Sequence, residues 1–547
     1  MIAGITISLF FLLAVVVSGV LARLSPIVIP LPLVQIALGA AIGAVPGSAI
    51  TLDPDLFFLL FLPPLLFLDG WRIPKEGLFR DRATVLEMAI GLVVFTVLGI
   101  GFFINWLLPS IPLAAAFALA AILSPTDAVA VSAITSRVSI PKRLLRILEG
   151  ESLLNDASGL VCMRFAVAAV LTGTFSASDA VLNFLQLAIG GVAVGFILTW
   201  VVARAKDLVS LKLGEETGAQ ILISILIPFG AYLAAEHLQC SGILAAVAAG
   251  IAMSYEEQRG KVLAVTRVRR AAVWDTIQFA MNGVIFVLLG EQLPGIVMGA
   301  ATVVYETGHF DPIWLGVYVL AISAALAILR LIWVWISLRF TLFRAARQGL
   351  TVVKPSWRLV VAASLAGVRG AITLAGVLTL PLVMNNGLPF PARELIIFLA
   401  AGVIIVSLLT ATVGLPVLLK GLELPIELSD QQAEDEAQAT AAQEAITAIE
   451  AAQHQMGEGK DDADLYADVA TRLMELYRNR IDGRPATTDA RTLRKAEEIE
   501  RNLRLVAARA ERDAIYRLAR ERKLPDEVTR RLVRNIDLTE TRLTTAI

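Results

Sequence analysis

The first 422 residues alternate long apolar runs with short polar connections, and a charged tail follows. An apolar run that crosses a bilayer as a helix needs roughly 17–25 residues. Such runs fall at about 2–22, 27–45, 54–69, 84–108, 112–136, 147–172, 181–203, 219–235, 240–254, 273–291, 313–340, 357–383 and 394–420. They predict about thirteen transmembrane helices, the ninth of them short. The first run has no basic stretch before it and no small-residue cleavage site after it. It is expected to be a retained helix rather than a signal peptide.

The polar connections bear on the count. Those after odd-numbered runs carry Arg23, then Arg72, Lys75, Arg80 and Arg82, then Arg137, Lys142, Arg143 and Arg146. Further on they carry Arg204, Lys206 and Lys212, then Arg259, Lys261, Arg267, Arg269 and Arg270, then Arg339, Arg344, Arg347 and Lys354. Those after even-numbered runs carry almost none, Arg393 being the exception. Cytoplasmic loops are enriched in Lys and Arg, so this alternation places the N-terminus outside and the C-terminus in the cytoplasm. A count wrong by one would scramble it.

Composition divides the chain at the same boundary. Of residues 423–547, 46 are charged, against 49 of the first 422. A membrane domain over 1–422 and a cytosolic helical domain over 423–547 are therefore expected. In the tail Leu493, Ile499, Leu503, Val506, Ile515 and Leu518 recur at helical spacing, as in helices that bury one face. Gly457-Glu458-Gly459 and Gly483-Arg484-Pro485 read as breaks between those helices. The whole chain is 57% hydrophobic and only 17% charged, which excludes an ordinary soluble enzyme. A net charge of −1 gives no reason to expect a nucleic-acid partner. Two cysteines, Cys162 and Cys240, and three histidines offer neither a disulfide framework nor a zinc or iron–sulfur site, and no cofactor is expected.

The candidate chemistry lies in charges placed inside apolar runs, where each costs about 2.5–3.5 kcal/mol even on a lenient scale and normally faces a cavity or a partner. The fifth run holds Leu123-Ser124-Pro125-Thr126-Asp127 near its midpoint. Pro125 lacks a backbone donor and disfavours helix at Ser124, so a break here frees carbonyls beside Asp127 and the Thr126 hydroxyl. The sixth run opens on Glu149-Gly150-Glu151-Ser152-Leu153-Leu154-Asn155-Asp156. Ser152 and Asp156 share one helix face, and Glu151 and Asn155 share the next. Two carboxylates, a serine hydroxyl and free carbonyls make a hard oxygen site suited to an alkali cation or protons.

The twelfth run holds Gly367-Val368-Arg369-Gly370 at its midpoint and predicts a second interrupted helix. Two interrupted helices in opposite halves point to an inverted-repeat transporter site. Asp127 would neutralise the positive ends where the breaks cross, and Arg369 the negative ends. Arg330, midway along the eleventh run, needs an anion, and Glu151 is the first candidate. Asp69, after Leu62-Pro63-Pro64, is either functional or an interfacial cap. Arg164 has no evident partner and is expected to reach outward to the interface.

The strings LPPLLFLDG, SPTDAVAV, EGESLLNDASGL and GVRGAITLAGVL, in that order, resemble bacterial Na+/H+ antiporters of the monovalent cation:proton antiporter-1 family, relatives of the NhaP-type and animal sodium/hydrogen exchangers. The resemblance covers essentially the whole membrane domain. It implies an all-α polytopic fold with inverted repeats and two broken crossing helices. The transported ion would be coordinated by Asp156, Asp127, Ser152 and the Thr126 main-chain carbonyl. Asn155 would stand where the electrogenic branch has a second acid and would help hold Asp127, while Glu151 would pair with a membrane arginine, Arg330 or Arg369. One carrier carboxylate implies electroneutral exchange of one cation for one proton. The family further implies a homodimer in the inner membrane, with a core that slides as an elevator against a dimerisation domain. Many relatives carry an acid four residues after the Pro-Pro pair; here that position is Leu68 and the acid is Asp69. One residue turns a helical side chain by about 100°, so the relatives' ion-gate role is not transferred to Asp69.

Other classes are weaker. An intramembrane aspartyl protease would use paired aspartates, but the chain has no Gly-x-Gly-Asp motif and the two breaks would go unexplained. A carrier of anionic metabolites would use Arg330 and Arg369 at its substrate. A channel would show single-channel conductance. Exchange at a carboxylate site needs no covalent chemistry, so no enzyme activity is expected.

Overall fold

The computed structural model describes residues 2–24, 29–45, 54–72, 91–127, 131, 142–172, 177–258, 263–306, 313–347, 356–384, 387–420, 428–457, 463–482, 490–521 and 526–544. These form two compact units, Met1–Leu424 and Pro425–Ile547. Apart from one isolated bridge between Val383 and Pro389, the regular structure among the described residues is helical.

In the first unit the helices are α1 (Ile2–Leu24), α2 (Leu31–Gly43), α3 (Pro54–Arg72), α4 (Leu92–Leu107), α5 (Leu113–Leu123), α6 (Lys142–Thr172) and α7 (Ala177–Leu213). They continue as α8 (Thr217–His237), α9 (Gly242–Gln258), α10 (Ala264–Glu306), α11 (Ile313–Arg347), α12 (Trp357–Leu365), α13 (Ala371–Leu378) and α14 (Arg393–Leu419). Each expected apolar run has its helix, and the twelfth is divided into α12 and α13. By length and composition five described helices, in α7, α8, α10, α11 and α14, are long and apolar enough to cross a membrane unaided. The fourth and fifth runs extend, at 84–90, 128–130 and 132–136, outside the described residues.

Burial sorts the helices. On α1, Leu9, Phe10, Leu13 and Val16 are exposed, as are Ile189, Ile197 and Val201 on α7. A contiguous apolar exterior of this kind is a lipid-facing surface. In contrast α5 is hidden almost completely: Ala115, Ala116 and the whole stretch from Ala118 to Leu123 are buried. On α13, Leu374, Ala375 and Val377 are buried too. The two short helices are thus the centre of the bundle, sheltered by longer ones.

Glycines set the closest approaches. A Cβ on Gly39 or Gly290 would overlap the backbone of the facing helix, which locks α2 to α10. Gly70 and Gly250 do the same for α3 and α9, and Gly191 and Gly195 for α7 against Ser241 and Ala245. Small residues of this kind replace the hydrophobic driving force that helices lack in lipid. A second set draws the other helices together. Gly101 receives Phe117 between α4 and α5, Gly159 receives Pro125 on α6, and Gly402 receives Val319 between α14 and α11. On α6, Gly159 faces Pro125 and the Ala121 carbonyl, on the α5 side.

The second unit contains α15 (Leu428–Gly457), α16 (Ala463–Asp482), α17 (Ala490–Arg520) and α18 (Asp526–Thr544). Helices stop on either side of both expected breaks. The apolar stripe is a correction: Ile499, Leu503, Val506 and Leu518 are exposed. The opposite face of α17 packs on α18, burying Ala508 and pairing Arg512 with Asp537 and Glu540, so the stripe turns outward. The Leu493 side chain lies outside the described residues.

Replacing Gly250 by Leu forces a side chain into the backbone at Phe67. It should destabilise the protein by about 1–3 kcal/mol or more, read as a lowered thermal midpoint in detergent. Gly316, on α11, has open space beside it, and Gly316→Ala should leave the midpoint level or slightly raised.

Candidate ion-binding site

The α5 helix ends at Leu123, and the chain from Ser124 to Asp127 is not helical. Pro125 is the local cause. The chain between α12 and α13 is likewise open from Ala366 to Gly370. The two openings meet: the Asp127 amide donates to the Val368 carbonyl at 2.7 Å, a backbone bond between two interrupted helices.

Around this crossing the helix ends are matched by charge. The Arg369 guanidinium donates from Nε to the Leu123 carbonyl, at the end of α5, at 2.9 Å, and from Nη1 to the Gly367 carbonyl at 2.5 Å. It therefore lies on carbonyl ends, which are partly negative. The Arg369 amide donates to Ser407 Oγ of α14 at 3.1 Å, which anchors the second opening. The Asp127 carboxylate lies against Gly370, one residue before α13 begins, and a Cβ there would overlap Oδ2. A carboxylate at a helix start faces partly positive amides.

The α6 helix presents the third part. Asn155 Nδ2 donates to Thr126 Oγ1 at 2.9 Å, and the Thr126 amide donates to Asn155 Oδ1 at 3.4 Å. Ser152 Oγ donates to the Thr126 carbonyl at 2.5 Å. Asn155 is wholly buried and Asp156 is 3% exposed. Ser152 and Asn155 thus hold one stretch of α6, with Asp156 beside them in sequence, against the α5 break. Asp69, Asp127 and Glu151 are the carboxylates close enough to act on Asp156 electrostatically.

Glu151 and Arg330 form a bidentate pair, Nη1 to Oε1 at 2.6 Å and Nη2 to Oε2 at 2.9 Å, with both side chains almost fully buried. Arg330 Nε also donates to the Ala363 carbonyl at the end of α12, at 3.3 Å. This pairing rigidly ties α6, α11 and α12 together. Of the two arginines offered for Glu151, Arg330 takes it and Arg369 serves backbone carbonyls.

Two sequence expectations need restating. Asp69 sits in the last turn of α3, which continues to Arg72, and is not a cap; it turns inward and feels Asp127, while Leu68 is buried. Arg164 does not reach outward alone. It donates to Glu236 Oε1 at 2.7 Å and to the Tyr232 hydroxyl at 3.1 Å, both on α8, and lies 5.1 Å over the Phe58 ring. A charge at the end of the eighth run was the available signal for this partner. No group of three or more His, Cys, Asp or Glu residues converges to hold a metal among the described residues, and the site above, with its hydroxyl and carbonyl oxygens, is of a different kind.

Comparison with known proteins decides the family. The model of the sodium/hydrogen exchanger transmembrane region matches residues 9–421. The chain belongs to the sodium/hydrogen exchanger family. Within that family it is 41% identical over 538 residues to the uncharacterized Na+/H+ exchanger YjcE of Escherichia coli, covering 97% of each chain. It is 45% identical over 421 residues to a Bacillus pumilus protein described as a sodium, potassium, lithium and rubidium/H+ antiporter, covering 76% of this chain and 61% of that one. The antiporter MjNhaP1 of Methanocaldococcus jannaschii shares the fold, with a TM-score of 0.55 at 20% identity over 76% of this chain and 99% of its own. As an exchanger-family member the chain is a multi-pass membrane protein, and the match ends where the first unit ends.

The Glu151–Arg330 pair makes a stability prediction. Removing one partner leaves a buried charge, so Arg330→Met should cost about 3–5 kcal/mol, whereas Arg330→Met with Glu151→Leu should recover most of that loss. Thermal unfolding of the purified variants is the measurement.

Proposed function

We propose that the chain is a secondary antiporter exchanging a monovalent cation, Na+ foremost, for H+ at a single carboxylate site by alternating access. The observation that carries this reading is Asp156, buried on α6 and facing a broken-helix crossing that supplies oxygen ligands. Asp156, Asp127, the Ser152 hydroxyl and the Thr126 carbonyl coordinate the cation. Asn155 holds the break through both atoms of its amide, Arg369 and Asp127 compensate the helix ends, and Glu151 with Arg330 fixes α6 to its neighbours.

The mechanism is competition. A carboxylate withdrawn from water beside other acids is costly to leave charged. A proton or a cation neutralises it, and the two exclude each other. If only the neutralised site crosses the apolar barrier, it crosses one way with a cation and returns with a proton, so the full cycle exchanges one for the other and is electroneutral. The Ser152–Thr126 hydrogen bond must turn aside for both oxygens to face a cation. The Bacillus pumilus relative, a sodium, potassium, lithium and rubidium/H+ antiporter by name, supports a hard oxygen site whose size sets preference among alkali cations.

Movement of the ion follows an elevator in this proposal. Local packing supports it: glycine contacts lock α3 and α7 to α9, Gly159 seats the α5 break on α6, and α6 meets α8 through the Arg164 side chain. The protein works as a homodimer in the inner membrane, with the N-terminus outside and the tail from residue 423 in the cytoplasm. An anion carrier has less support, because Arg330 is committed to Glu151 and Arg369 to two carbonyls.

In proteoliposomes containing a pH dye, Asp156→Asn should reduce cation-driven proton movement to the rate of protein-free vesicles. Asp127→Asn should lower it severely. An imposed membrane potential should leave the wild-type rate unchanged. Full exchange by Asp156→Asn would overturn the site assignment, and a rate that follows the potential would overturn the 1:1 stoichiometry.

A further inference from the structure

On the orientation proposed above, α6 enters the membrane from the cytoplasmic side at Lys142 and leaves it near Thr172. Arg164 lies eight residues beyond Asp156, about 12 Å further along the axis, toward the outer surface. Its partners lie on α8 and α3, both of which pack on α9. Glu236 and Tyr232 are one turn apart on α8 and so share a face, and Phe58 is on α3.

These partners are held in place without Arg164. Glu236 Oε1 also accepts from the Gly242 amide at 3.3 Å, at the first residue of α9. The Tyr232 ring lies so close to Gly242 that a Cβ there would strike it. The Phe58 and Tyr232 rings meet at a tilt, with centroids 5.9 Å apart. A fixed receptor thus stands on α3, α8 and α9, and one side chain from α6 docks into it with an ion pair, a hydroxyl bond and a ring contact.

The pair differs from Glu151–Arg330 in its surroundings. Its side chains are 38% and 36% exposed, against 3% and 0% for the inner pair. The outer pair thus lies partly open at the protein surface, so parting it does not seal a charge inside the protein. Sliding α6 by one turn, about 5.4 Å, would break all three contacts together.

We propose that Arg164 is a positioning residue that latches the ion-carrying helix to α8 and so biases the carrier toward the state in which its outer path is closed. This rests on the antiport reading. A carrier's apparent affinity on one side is its intrinsic affinity reduced by the fraction of molecules open to that side. Releasing the latch therefore improves apparent cation affinity at the outer face and weakens it at the inner face.

The test uses the full chain in uniformly oriented proteoliposomes, with Na+ titrated on one face at a time. Arg164→Gln should lower the outer half-saturation concentration by roughly three- to tenfold and raise the inner one by a smaller factor. Arg164→Lys, which keeps the charge but not the fork, should fall between it and wild type. Tyr232→Phe removes a single oxygen and should shift both constants in the same opposed directions; it decides the matter if Arg164→Gln fails to fold. A general defect would lower the maximal rate without opposed shifts. Constants that do not move, or that move together, would overturn the latch, while wild-type protein that exchanges nothing would overturn the antiport reading itself.

Discussion

The backbone bond from Asp127 to Val368 is the constraint on which the centre of the bundle depends. An interrupted helix inside a membrane exposes amides and carbonyls where no water can satisfy them, each at a cost of several kcal/mol. One interruption alone would be prohibitive. Two that cross can answer each other, and the remaining ends take Arg369, Asp127 and the Asn155 amide. The cost of the breaks is thereby met by the residues that make the site. Oxygen atoms released from helical bonding at Thr126 are the same atoms offered to an ion in the proposed mechanism. Burial of α5 and α13 follows, because open backbone is tolerated only when shielded by protein.

Much of this was legible in the residues themselves. Pro125 and the glycines around Arg369 marked both interruptions, and Arg330, placed midway along an apolar run, called for an anion, with Glu151 the first candidate. Periodicity and chain length placed the helices to within a few residues in most cases. What could not be read was which helices face each other across the bundle. Arg164 and Glu236 are 72 residues apart, and no local pattern ties them. Asp69 was ambiguous for a related reason: whether α3 ends at the Pro-Pro pair or runs through it decides where that carboxylate points, and both prolines are accommodated within the helix. The α17 stripe was misread because periodicity identifies an apolar face without saying whether anything covers it.

Hydropathy marks spans well because every span must satisfy its own backbone, and it says nothing about packing because lipid and protein interior are equally apolar. Glycine is the sequence feature that carries packing in such a chain, but only once its neighbours are known. Gly39, Gly70, Gly191 and Gly250 look alike along the sequence. Their contacts show them to be the points where one group of helices is drawn to backbone contact, and a glycine exchanged for alanine at any of them meets main chain rather than a movable side chain.

The two ion pairs on α6 illustrate how environment sets what a charge can do. Glu151–Arg330 is dry, bidentate and internal to one group of helices, so separating it would leave charges without solvent, and the pair acts as a permanent rivet. Arg164–Glu236 joins α6 to α8 and is partly open at the protein surface, so its net strength is modest. Modest strength is what a reversible contact requires: a rivet at that position would arrest a sliding helix, and an apolar contact there would give no directional preference. In the proposed cycle α6 therefore keeps its inner pair throughout, carrying Ser152, Asn155 and Asp156 as a rigid set, while the outer pair is made and broken once per turnover. The same chemical pairing, an arginine facing a glutamate, serves opposite purposes thirteen residues, about 20 Å of helix, apart on α6, because one pair is sealed inside the protein and the other is partly open at its surface.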